Sequence, residues 1–78
     1  MAHYIATFYT HYGAMKFFKE YKKRGVPAKL MPVPRSLSAS CGVCVRFEAE
    51  KLSSLPDGYD LQDCYVIEKE KYIKIQEL

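Results

Sequence analysis

The side chains in this sequence best suited to chemistry are its three cysteines, and two of them, Cys41 and Cys44, stand three apart in Cys-Gly-Val-Cys. A thiolate is both a nucleophile and a metal ligand, so such a pair could exchange electrons, hold a metal or carry a group. Spacing separates these options. In thioredoxin-like pairs the second cysteine lies on a helix, which lets the thiols approach. Here residues 42–47 alternate as a strand does, with Val43, Val45 and Phe47 on one side and Cys44 and Arg46 on the other. Three residues of extended chain span roughly 10 Å, whereas a disulfide needs α-carbons within about 7 Å. A stable redox couple therefore ranks below a single reactive Cys41.

The setting of Cys41 supports that ranking. Between Met31 and Phe47 the chain reads MPVPRSLSASCGVCVRF. Pro32 and Pro34 remove two ladder donors, so the strand ending there must lie at an edge or leave the sheet. Ser38, Ser40 and Gly42 permit tight turns and free backbone amides, and a concave row of amides can hold an anion. Arg35 and Arg46 bracket the segment, and cations nearby favour thiolate over thiol. Position alone leaves Cys41 evenly balanced between a reactive thiol and a loop cysteine without consequence. Cys44 is expected to be a small packing residue, with a resolving thiol as its functional alternative, and Cys64 a buried strand residue. The three thiols and a histidine would satisfy the ligand count of a Cys3His zinc site, but Cys64 has no closely spaced ligand partner, so no metal is expected. No Ser-His-Asp order, phosphate-binding glycine loop or HExxH helix is present, and no cofactor is implied.

These residues need a scaffold, and the pattern supplies one. Residues 4–9 (YIATFY) read as a buried strand. Thr10 can cap a helix over residues 11–24, in which Ala14, Phe17, Phe18 and Tyr21 form an apolar stripe opposite Lys16, Lys19, Glu20 and Lys23. Gly25 and Pro27 end it. The lysines read as a solvated face, and His11 and His3 as surface residues. Residues 28–33 give a second strand and 42–47 a third, antiparallel to it. Residues 48–55 suggest a short helix stopped by Pro56. Residues 64–67 and 72–75 give two more strands around a charged turn. The expected fold is α+β: a ferredoxin-like β-α-β-β-α-β sandwich with helices on one face of an antiparallel sheet and an extra C-terminal strand.

Size and composition set the outer bounds. Seventy-eight residues make one domain, 1–78, with a marginal core that a homodimer would strengthen. A chain this small rarely forms a deep cleft, so independent catalysis on a large substrate is not expected. The net charge of +3 is too small and too scattered for a dedicated nucleic-acid binder. No apolar run approaches the roughly 20 residues that span a bilayer, and the amino terminus lacks the regions of a signal peptide. The chain is therefore read as cytoplasmic, where thiols stay reduced.

The run YIATFYTHYGAMKFFKEYKKRGVPAKLMPVPRSLSASCGVCVRF resembles a family of small bacterial proteins, the selenium/sulfur carrier protein-like family. The match covers about the first two thirds of the chain. Its most specific part is Pro-x-Pro-Arg, a serine-rich turn and Cys-Gly, carried here by Pro32, Pro34, Arg35, Ser38, Ser40, Cys41 and Gly42. The resemblance implies a carrier that holds sulfur or selenium as a persulfide or selenopersulfide on Cys41, with donor and acceptor proteins as partners. Cys44 and the region from Glu48 onward are not part of it. Two other classes compete: a non-catalytic interaction or regulatory module using the tyrosines and Met31, and a metal-binding domain.

Overall fold

Thr10 determines where the one helix among the described residues begins. Its backbone is extended, and its Oγ1 accepts a hydrogen bond from the Gly13 amide at 3.0 Å, satisfying one of the free donors of the first turn. A computed structural model describes residues 2–37, 41–50 and 58–75 of the chain. In chain order the elements are β1 (Ala2–Phe8), α1 (His11–Lys23), β2 (Ala28–Pro32), β3 (Val43–Ala49), β4 (Leu61–Glu68) and β5 (Lys71–Lys74). The helix ends as its sequence requires. Gly25 takes a φ of 83°, its amide donates to the Lys22 carbonyl, and the Val26 amide reaches back to the Tyr21 carbonyl. This is the Schellman pattern, and it brings Val26 and Tyr21 into the same apolar cluster.

The five strands form one antiparallel sheet in the order β2-β3-β1-β4-β5. Helix α1 packs on one face through Ala14 and Phe17, with Phe18 and Tyr21 beside them. Strand alternation decides what it meets. Tyr4, Ala6 and Phe8 of β1, Val45 and Phe47 of β3, and Cys64 of β4 make up the sheet's side of this core. Phe17 is its centre, with ring centroids 5.3 Å from Phe8, 5.2 Å from Phe47, 5.3 Å from Tyr59 and 4.0 Å from Tyr21. Gly13 permits the close approach, because a Cβ there would overlap the Tyr59 carbonyl. The first helical turn is also tied to the start of β4, since Tyr9 N donates to Asp60 O at 2.8 Å and Thr10 Oγ1 to the Asp60 carboxylate at 2.8 Å.

The opposite face has no described helix, yet Ile5, Thr7 and Cys44 are buried there. Ser36 and Leu37, in the loop after β2, share a groove with Glu70, Lys71 and Tyr72 of the β4–β5 hairpin. Thr7 uses its burial well. Its hydroxyl accepts from the Asp63 amide at 3.1 Å and donates to the Asp63 carbonyl at 3.2 Å, bracing β1 against β4 beside the register shift between Thr7 and Phe8.

Residues 48 and 49 do not begin a helix. Glu48 and Ala49 continue β3, paired with His3 and Ala2 of β1, and the Glu48 amide donates to the Pro27 carbonyl at 3.2 Å. Two strand neighbours, one on each side, outweigh the high helix propensity of Glu and Ala. Glu50 forms a bend, and the rest of the expected second helix, 51–55, lies outside the described residues. Among the described residues the architecture is α+β, one helix on a five-stranded antiparallel sheet. No described helix is long and apolar enough to cross a membrane.

Candidate functional site

The β2–β3 loop is closed at a defined neck. Pro32 pairs with Val43, and one step further out the Val33 amide donates to the Gly42 carbonyl at 3.2 Å, the last rung before the chains part. Pro34 has no amide to extend the ladder, and its carbonyl accepts from Leu37 N at 3.0 Å to form a turn. Gly42 has a φ of 74°, a conformation that glycine adopts without penalty, and this bend carries the chain from the loop into β3. Ser38 and Ser40 lie outside the described residues.

Cys41 sits beside this neck. It is partly exposed, packs against the rim of the helix-side core, and its thiol donates to the Val43 carbonyl at 3.4 Å. Cys44 belongs to the other face of the sheet, as the alternation of β3 requires. It is fully buried, and its thiol donates to the Pro32 carbonyl at 3.6 Å. Burial, with a smaller contribution from Cys41, pushes the Cys44 thiol up to about 11. Cys64 lies under the helix with 1% of its surface exposed, and burial pushes its thiol up to about 12. All three are free thiols. The two buried ones thus resist ionisation, and Cys41 alone of the three has solvent access.

The arginines take separate positions. Arg35 is exposed in the loop turn, on the same segment as Cys41. Arg46 points out from the face that carries Cys44, directly opposite Lys29 of β2. It lines a groove of about 400 Å3 with His3, Pro27, Ala28, Lys29, Phe47 and Glu48, at the end of β3 away from the loop. Among the described residues, no hydrogen bond or ion pair joins either arginine to Cys41. Lys29 and His3 are additions to the residues singled out from the sequence. Lys29 alternates with the inward Ala28 and Leu30, which signals its face, but its pairing with Arg46 depends on the hairpin register. Among the described residues no group of three or more His, Cys, Asp or Glu is placed to hold a metal.

Cys41 is thus a partly exposed cysteine at a loop neck, and its segment lies within the match to a known family. The family described as Putative Se/S carrier protein-like matches residues 3–57, which takes in β1, α1, the β2–β3 hairpin and its loop. No curated protein and no solved structure matches the chain. With well over half of its length matched, Cys41 and its loop included, the chain belongs to the Se/S carrier protein-like family.

Proposed function

We propose that this chain is a cytoplasmic carrier that holds sulfur or selenium on Cys41 and passes it to an acceptor protein. The observation that carries this reading is the contrast among the thiols: Cys41 is partly exposed at the loop neck, while Cys44 and Cys64 are sealed and hard to ionise. Loading is a displacement. The Cys41 thiolate attacks the terminal sulfur of a donor protein's persulfide, the donor's S–S bond breaks, its electron pair leaves with the donor thiolate, and a new S–S bond forms on Cys41. Selenium follows the same course at a terminal selenium. An acceptor nucleophile then takes the outer atom and releases the Cys41 thiolate. No oxidant or reductant is needed.

In this reading Arg35 and Gly42, on the same segment as Cys41, favour its anion, Ser38 and Ser40 are the further anion-binding candidates that the sequence offers, and Arg46 adds to the positive field of the chain. Cys44, fully buried, is first a packing residue; in its alternative role as a resolving thiol, its thiolate would attack Cys41 Sγ, expel hydrosulfide or hydroselenide, and leave a disulfide that a thiol reductant must reopen. Burial pushes its pKa up to about 11, so it is mostly protonated at neutral pH, and in that role resolution is slow and the loaded form persists. For the fold we favour the ferredoxin-like sandwich, supported by β3 lying between β1 and β2.

Incubating the protein with a persulfide donor such as a cysteine desulfurase and its substrate, then measuring intact mass, tests the carrier role. The wild type should gain one chalcogen atom and Cys41→Ser none, while Cys44→Ser should load and hold it longer. Full loading of Cys41→Ser would end the proposal. A second reading, an interaction module, draws on the exposed Tyr9, Tyr12 and Met15 around the start of α1. It would gain if a partner co-purified stoichiometrically while Cys41 failed to load.

A further inference from the structure

The groove at the far end of β3 has a composition that a surface without a ligand would not favour. Lys29 and Arg46 face each other directly across the β2–β3 ladder, and like charges so placed repel. Both side chains are exposed on the same face, because directly paired residues share a face. The acid in this groove, Glu48, is two residues along from Arg46 and pairs in register with His3 of β1. One carboxylate thus stands against two cations and an imidazole. Neither Lys29, Arg46 nor Glu48 takes part in an ion pair among the described residues. His3 supplies an independent sign, since its Nδ1 is shielded from water and has no hydrogen-bond partner among them. A buried polar atom in that state is unfavourable unless something completes it.

We propose that this groove binds a small tetrahedral oxyanion of the phosphate or sulfate class. Lys29 and Arg46 supply opposed positive charges from adjacent strands, and Arg46 can present a two-pronged donor edge to two oxygens. His3 completes the set by donating from its imidazole after a small ring rotation. The rigid central strands β1 and β3 hold His3 and Arg46, so the site is preorganised and does not depend on loop closure. The groove is open and about 400 Å3 in volume, enough for the anion and ordered water. It lies at the opposite end of β3 from Cys41, shares only Arg46 with the carrier reading, and is tested without any chalcogen.

The test is an amide and imidazole NMR titration of the full chain with sodium phosphate or sulfate at pH 7, against sodium chloride at matched ionic strength. The expected result is saturable shifts at His3, Lys29, Arg46 and Glu48 that chloride does not produce. The binding should weaken about tenfold in Arg46→Gln and more in the Lys29→Gln/Arg46→Gln pair, as loss of charge-assisted bonds predicts. Both changes are at exposed positions, and the unaltered dispersion of the remaining amide signals verifies the fold. Equal shifts with chloride, or undiminished binding by the double variant, would overturn the site.

Discussion

The region under α1 and the neck of the β2–β3 loop each hold a cysteine beside the same core, and they give it different access to water. Under the helix, Cys64 is enclosed by Tyr21, Phe17 and the central strands, and burial holds it as a neutral thiol with a pKa near 12. At the neck, Cys41 touches that core from its rim, keeps contact with water and makes one local hydrogen bond to Val43. The residue type is the same, and the difference lies in how completely the chain closes around it. Cys44 marks the boundary: three positions beyond Cys41 it is already inside the sheet. Solvent access to these thiols thus changes where the ladder ends, at the Val33–Gly42 rung.

The largest break in this contrast should come from opening the closed side. Phe17 lies at 0% exposure among four aromatic rings, so Phe17→Ala should cost about 3–5 kcal/mol, read as a fall in the denaturant midpoint. Cys64 should then alkylate at a rate approaching that of Cys41. Retention of wild-type protection at Cys64 would mean that the strands, not the helix, shield it.

Alkali attacks the same side more gently. Cys44 and Cys64 have folded pKa values of about 11 and about 12 against an ordinary 9.0, so the folded state keeps protons that the unfolded chain has already released. Their contribution to stability is complete below about pH 9 and is lost as pH rises toward those folded values. Each thiol should lower stability by roughly 1 kcal/mol per pH unit above pH 9. Urea melts between pH 8 and 10.5 check the slope, which should be about halved in Cys64→Ala. An unchanged slope in that variant would assign the alkaline loss to other groups.

Much of this arrangement was legible in the residues. The Thr10 cap, the stripe of Ala14, Phe17, Phe18 and Tyr21, and the Gly25 stop defined α1 to within one residue, because helix ends are written in local chemistry. The alternation from Val43 to Phe47 correctly placed Cys44 opposite the core-facing valines. Burial of Cys44 and Cys64 followed from their places in strand patterns. What was not legible depended on partners distant in sequence. Glu48 and Ala49 extend β3 because β1 is available to pair with them, and β4 begins at Leu61, ahead of its most apolar stretch, for the same reason. The Lys29–Arg46 pair and the groove that Leu37 shares with Tyr72 likewise depend on the pairing of the sheet.

The smallest effect is also the sharpest on the comparison, because it acts on the neck alone. Gly42 has a φ of 74° and open space where a Cβ would stand, so Gly42→Ala meets no clash and suffers only backbone strain, about 1–2 kcal/mol. Asparagine tolerates that conformation better, and Gly42→Asn should lose less than Gly42→Ala. Strain at this position is relieved by rotating the bend, which loosens the Val33–Gly42 rung and shifts Cys41 relative to the Val43 carbonyl. Alkylation of Cys41 should therefore change in rate while that of Cys64 keeps its wild-type protection. Parallel change at both thiols would show that the neck and the core open as one unit, and the distinction between the two cysteines would then be one of degree within a single cooperative structure.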